Sequence, residues 1–85
     1  MKKSEFATKL GFLDFNALLD ASREMYQEGD ISWFITELPE GQWAAWDDAE
    51  IDTARVETFC SRVEAEDHQV FGLAKRRWMR SLPSA

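Results

Sequence analysis

The spacing of apolar residues changes along the chain, and each change predicts a different kind of secondary structure. In residues 4–28 the apolar side chains recur every three or four positions, which is the period of one helix face. Ser4 can cap a first short helix that ends at Gly11, and Asp14 can cap a second helix that reaches Tyr26 and stops before Gly29. The N-terminal third is therefore predicted to be a helical pair.

Residues 31–48 change to a pattern typical of a β-hairpin. The run 31–36 is rich in aromatic and β-branched residues, and a second apolar run follows at 43–46. Between them, Pro39 presets the backbone of a turn, and Gly41 can adopt the left-handed conformation that closes a three-residue loop. The predicted cross-strand pairs are Phe34 with Trp46, Thr36 with Ala44, Ile35 with Ala45, and Trp33 with Asp47.

This register makes both faces of the hairpin apolar. One face carries Trp33, Ile35, Trp43 and Ala45, and the other carries Phe34, Leu38, Ala44 and Trp46. A two-stranded ribbon is marginal alone in water, so helices must cover at least one face. We expect that the few helices of this chain cannot cover both. A competing prediction makes the segment helical, with Pro39 at its first position and Trp43 and Trp46 on one side.

Residues 52–80 return to a helical period. Asp52 is the best cap, and the apolar side chains that follow form one stripe with Asp67 in its middle. The members of this stripe are Val56, Phe59, Cys60, Val63, Val70, Phe71, Ala74 and Trp78. A single helix would span about 43 Å and overhang so small a domain, which favours pairing with a second copy of the chain. The alternative is a break near residues 66–68 that gives two shorter helices.

Together these segments predict one small α+β domain over residues 1–85, in the order helix, helix, β-hairpin, long C-terminal helix. An all-α domain is the alternative. A chain of 85 residues can bury one modest core but has little material for a deep cleft.

Charge is distributed unevenly along the chain, which carries a net −6. Eleven acids and one arginine lie in residues 12–54, whereas the segments before and after each carry a net positive charge. An acidic middle of this kind favours basic partners and disfavours non-specific binding to nucleic acid. No signal peptide or membrane segment is visible, and the lone cysteine cannot form an internal disulfide, so the expected location is cytoplasmic.

The sequence predicts no catalytic residue, no metal site and no cofactor. His68 and Cys60 lie eight positions apart, about 12 Å along a continuous helix, which is too far for a nucleophilic pair. Within the apolar stripe, Cys60 is expected to be buried, and His68 is expected to be solvated. Phosphate-binding loops, zinc spacings and calcium loops are all missing from the sequence.

Two segments could contact nucleic acid. Residues 6–11 resemble the first helix and turn of a helix-turn-helix DNA reader, but the helix predicted to follow is acidic and would repel phosphates. A basic cluster at the end of the C-terminal helix could contact nucleic acid or a second copy, or could simply oppose the helix dipole. This cluster consists of Lys75, Arg76, Arg77 and Arg80.

The tryptophan-rich acidic middle is the strongest candidate for a binding surface. Its members are Trp33, Glu37, Glu40, Trp43, Trp46, Asp47, Asp48 and Glu50. Aromatic side chains framed by charge are typical of interface hot spots, although the same tryptophans could form the core. The leading hypothesis is a non-enzymatic interaction module that binds a basic protein, with an inhibitor or nucleic-acid mimic from a mobile element as its sharper form. The alternative is a nucleic-acid-binding regulator that uses the N-terminal helix pair or the basic helix end.

Overall fold

A computed structural model describes the backbone of residues 1–81 and the side chains of residues 1–74. Three helices and a four-stranded antiparallel sheet give an α+β domain, as predicted. The elements are α1 (Lys3–Lys9), α2 (Phe15–Asp20), β1 (Ser22–Glu28), β2 (Ile31–Glu37), β3 (Trp43–Asp47), a 3₁₀ turn (Thr53–Arg55), β4 (Glu57–Phe59) and α3 (Arg62–Ser81). The strands lie side by side in chain order.

The predicted hairpin is confirmed as β2 and β3, with the predicted register. Phe34 pairs with Trp46 and Trp33 pairs with Asp47. At the turn, the Leu38 N–H donates to the Gln42 carbonyl (2.8 Å), and the Gly41 N–H donates to the Leu38 carbonyl (2.9 Å). Gly41 has a φ of 103°, a backbone conformation that residues other than glycine rarely adopt. The helical alternative for this segment is therefore wrong.

The second predicted helix is wrong beyond Asp20. The Asp14 carboxylate caps α2 by accepting from the Ala17 N–H (2.8 Å), but the helix has only six residues and is followed by β1. The residues Gly29 and Asp30 form a two-residue turn, because Glu28 pairs with Ile31 on either side of it. Such turns match the twist of antiparallel strands. Ser4 is also not a cap, because α1 begins at Lys3.

The C-terminal helix begins ten residues later than predicted. The Asp52 carboxylate accepts from the Ala54 N–H (3.0 Å) and caps the 3₁₀ turn instead of a long helix. The short strand β4 then pairs with β3 and completes the sheet. From Arg62 onward α3 is continuous, so the alternative break near residues 66–68 is wrong. Cys60 precedes the helix and is exposed rather than buried.

Helices α1 and α2 cover one face of the sheet and form the main core with it. The buried residues of this core are Phe6, Ala7, Leu18, Leu38, Ala44 and Trp46. Trp46 lies at its centre, with its ring centroid 4.5 Å from that of Phe34 and 5.3 Å from that of Phe6. Burial of aromatic rings in contact contributes most of the apolar area that a small domain can remove from water.

A chain of hydrogen bonds links this core to α2. The Trp46 indole N–H donates to the Thr36 hydroxyl (2.8 Å), which lies 2.6 Å from the Ser22 hydroxyl. Ser22 donates to the Leu18 carbonyl. The Ser22 hydroxyl hydrogen is already used in the bond to Leu18. The bond between the two hydroxyl groups must therefore be donated by Thr36 and accepted by Ser22. Every polar group of this buried network therefore has a partner, as burial requires.

Helix α3 covers the opposite face of the sheet with small and polar side chains. Ala65 is completely buried, and beneath the helix Ile35 and Ala45 on the sheet are buried as well. The Gln69 side-chain amide donates to the main-chain carbonyls of Phe34 (2.7 Å) and Trp46 (3.1 Å). The expectation that the helices cannot cover both hairpin faces is therefore wrong for the middle of this face, whereas Trp33 and Trp43 at its two ends stay partly exposed.

The members of the predicted apolar stripe that lie on α3 within residues 62–74 face solvent. Val63, Val70 and Phe71 are 65%, 54% and 71% exposed, and Asp67 and Ala74 are exposed with them. Because Ala65 and Gln69 occupy the side that faces the sheet, the helix period turns these residues to the other side. We call Val63, Asp67, Val70, Phe71 and Ala74 the outer stripe.

Candidate partner-binding surface

The eight residues predicted to bind a partner do not form one patch. Strand register pairs Glu37 with Trp43 at the turn end of the hairpin, and Trp33 with Asp47 at its open end. These two ends lie about 13 Å apart along β2 at the usual rise per strand residue. Trp46 lies between them but is only 3% exposed, so it belongs to the core and cannot reach a partner.

At the open end, the carboxylates stabilise the local fold. Asp48 accepts from the Ser32 N–H (2.8 Å), which extends the pairing beyond β2 and β3. Asp47 accepts from the Ala49 N–H (3.0 Å) and closes a tight turn. Arg55 lies 3.6 Å from a carboxylate oxygen of Asp47 and 3.4 Å from one of Glu50. These groups are already bonded within the chain.

The aromatic residue of the open end is also engaged. The ring of Trp33 stacks on that of Tyr26, with a centroid distance of 4.9 Å and an interplanar angle of 13°. Both side chains are partly buried. Trp33 therefore contributes to cross-strand packing on the sheet.

At the turn end, the carboxylates are available. Glu37 and Glu40 are exposed, and no cationic side chain in residues 1–74 lies within ion-pair distance of either. Trp43 is partly exposed beside them, with the Arg62 guanidinium 5.7 Å from its ring centroid. Arg62 is itself held by Glu66 (2.8 Å). Glu37 therefore lies beside an indole that already contacts a cation, and Glu40 lies in the turn at the same end of the hairpin.

A groove of about 280 Å³ runs beside this turn. It is lined by Lys9, Leu10, Gly11, Leu38, Pro39, Glu40 and Thr58. Gly11 has a φ of 97°, and a Cβ atom there would lie 3.2 Å from Pro39 Cγ, so glycine allows α1 to end against the turn. We call Glu37, Glu40, Trp43 and this groove the hairpin tip.

Sequence reasoning missed the groove. Lys9, Leu10 and Thr58 come from two elements far apart in the chain, and the strand that carries Thr58 was not predicted. The only signal in the sequence was Gly11, which was interpreted as a helix end. Its contact with Pro39 depends on the tertiary fold.

The structure weakens the case for a helix-turn-helix reader. The helix α2, which would have to enter the major groove, has six residues and buries Leu18 against the core. Asp14, which caps this helix, and Asp20, its last residue, would face phosphates with like charge. The predicted contacts at Lys75, Arg76, Arg77 and Arg80 lie outside the described side chains.

His68 belongs to no cluster of described side chains that could hold a metal ion. His68 is exposed and its ring contacts that of Phe59, with centroids 5.2 Å apart. Within residues 1–74, no three histidine, cysteine or acidic side chains are placed to share a metal ion. Nor does the described part of the chain contain a helix long and apolar enough to cross a membrane.

No protein-family model, curated protein or solved structure matches the chain. The hairpin tip and the outer stripe are therefore the features from which a function can be inferred.

Proposed function

We propose that this protein is a small non-enzymatic interaction module whose hairpin tip binds a basic partner protein. The observation that carries the proposal is the pair of exposed, unpaired carboxylates at the turn, with Glu37 beside a partly exposed indole on one face of the sheet and Glu40 beside a groove on the other. Carboxylates of this kind steer a basic partner during association. The indole and the groove would supply the apolar contact on which affinity depends.

The chemistry of the tip fits an arginine- or lysine-rich protein segment. A partner arginine or lysine would pair with the carboxylates of Glu37 and Glu40, because Arg62 already contacts the Trp43 ring. An apolar side chain of the partner could occupy the groove between Leu10 and Leu38. Nucleic acid would be repelled by the same carboxylates. A partner that uses its basic surface for nucleic acid would be inhibited by competition.

Site-specific crosslinking tests the position of the interface. A photoreactive amino acid at Glu40 should capture a partner in cells of the source organism, and the same amino acid at Glu24 should not. Glu24 is also an exposed carboxylate but lies on β1, away from the tip. Capture at both positions or at Glu24 alone would place the interface elsewhere.

Titration with the purified partner then tests the chemistry. The double variant Glu37→Lys with Glu40→Lys should weaken binding about 100-fold, because it places like charges against a basic partner and slows association. The same charge change at Glu24 should leave affinity within about twofold. Equal losses in both variants would show a non-specific response to net charge and would overturn the proposal.

Binding to labelled duplex DNA and to RNA tests the alternative class. Fluorescence anisotropy at low salt should show no binding by the intact protein. Saturable binding that weakens steeply with added salt would favour a nucleic-acid-binding regulator. Loss of that binding in the variant Arg76→Ala with Arg77→Ala would identify the basic end of α3 as its site.

A further inference from the structure

The outer stripe of α3 is an apolar surface that no described part of the chain covers. Three large apolar side chains, Val63, Val70 and Phe71, are each more than half exposed along the same side of one helix. Single exposed apolar residues are ordinary, but several large ones on the same side of one helix indicate a docking surface. The position of these side chains is fixed by Gln69, which holds the opposite side of the helix against the sheet.

The charge pattern of α3 identifies the occupant. The first two turns carry Glu64, Glu66 and Asp67, and the sequence of the last two turns carries Lys75, Arg76, Arg77 and Arg80. A parallel second helix would place like charges together. An antiparallel copy places the acidic start of each helix beside the basic end of the other, so the surface is complementary to itself.

We propose that two copies of the chain pair through their α3 helices, antiparallel about a two-fold axis near Val70 and Phe71. Phe71 of one copy then lies against Val70 of the other, and the acidic turn around Glu64 lies beside the position of Arg77. The pairing buries the outer stripes of both copies. It does not use the hairpin tip, so the dimer and the proposed partner interface are independent.

The size of the contact sets the expected affinity. A helix of 20 residues is about 30 Å long and 10 Å wide. Two such helices bury less than the roughly 800 Å² per partner of a standard interface. We therefore expect a dimer that dissociates in the micromolar range, and sedimentation must cover about 1 µM to 500 µM.

Sedimentation equilibrium on the intact chain tests the pairing. The natural protein should shift from monomer to dimer over this range, and Phe71→Glu should raise the dissociation constant at least tenfold. Leu13→Glu is the matched control, because Leu13 is 90% exposed but lies outside α3. The proposal would be overturned if the natural protein stayed monomeric at the highest concentration. It would also be overturned if Leu13→Glu raised the dissociation constant as much as Phe71→Glu.

A charge exchange tests the antiparallel geometry. One variant carries Glu64→Lys and Asp67→Lys, and the other carries Lys75→Glu and Arg77→Glu. Each variant alone should be monomeric, because like charges meet at both ends of the pair. An equimolar mixture should form a heterodimer, because opposite charges meet again. A mixture that stays monomeric, or variants that each dimerise like the natural protein, would exclude this arrangement.

The partner interface and the dimer can be tested independently of each other. Glu37→Lys with Glu40→Lys should leave the dimer unchanged, and Phe71→Glu should leave a partner captured through Glu40 bound. If the natural chain is monomeric and Phe71→Glu releases that partner, the outer stripe binds a different protein, and the pairing of copies is wrong.

Discussion

The two faces of the sheet are covered by helices in opposite ways. Against α1 and α2, the sheet presents large aromatic rings, with Trp46 in contact with both Phe6 and Phe34. Against α3, the buried side chains are Ile35, two alanines and one glutamine, Gln69. The first face derives its stability mainly from apolar area, and the second from close approach and hydrogen bonds to carbonyl groups.

The difference teaches that an apolar stripe does not by itself decide which side of a helix faces the core. On α3 the more apolar side is exposed, because the opposite side carries the buried Ala65 and Gln69, whose amide donates to two main-chain carbonyls of the sheet. A helix that exposes its apolar side in this way has a second surface to cover.

The largest expected effect tests the aromatic face. Trp46→Ala should lower the free energy of unfolding by about 3–5 kcal/mol, because it leaves a cavity and removes the partner of Thr36. Trp43→Ala should lower the free energy of unfolding by less than half as much, because Trp43 is partly exposed. Urea unfolding followed by circular dichroism measures both. Equal losses would show that the two faces contribute alike.

A smaller effect tests the polar anchor on the other face. Gln69→Leu increases apolarity at a buried site but removes two hydrogen bonds, and we expect a loss of about 1–3 kcal/mol. Asp67→Leu, an apolar replacement at an exposed position of the same helix, should stay within about 0.5 kcal/mol. Both are measured at concentrations where the chain is monomeric. Stabilisation by Gln69→Leu would mean that α3 packs as an ordinary apolar helix.

The smallest effect tests the hydrogen-bond chain under the aromatic face. Thr36→Val keeps the shape of the side chain but leaves the Trp46 indole N–H and the Ser22 hydroxyl without their shared partner, for a loss of about 1–2 kcal/mol. Thr58→Val, at an exposed strand position, is the control and should be nearly neutral. An equal response at both positions would contradict the assigned network.

The hairpin could be predicted from the sequence because two independent signals agree. The period of two in the apolar residues sets the faces, and Pro39 with Gly41 sets the turn. Together these fix the register, since a slip by one residue would move every side chain to the other face.

The outer strands could not be predicted in the same way. β1 is mostly polar, and its few apolar residues also fit a helical spacing that continues from Leu18. The neglected signal was Gly29-Asp30, a two-residue hairpin turn. β4 has only three residues, and its Phe59 also fits the helical stripe that begins at Val56. In both cases, pairing with an existing strand outweighed local periodicity.

The candidate surface was predicted only in part. Composition identified Glu37, Glu40 and Trp43, but it could not separate them from Asp47 and Asp48, whose carboxylates stabilise the local fold. That distinction depends on which backbone N–H groups lie nearby in the folded chain. The orientation of α3 likewise depends on a glutamine that bonds to carbonyls 35 and 23 positions away.

The order of the strands also has a consequence for the folding rate. Because each strand pairs with the next one in the chain, the sheet can grow outward from the turn at Gly41 without closing a long loop. A short sequence separation between contacting residues favours fast folding. Docking of α3 through Gln69 requires the hairpin to exist already, so substitutions in this helix should mainly speed unfolding and leave the refolding rate nearly unchanged.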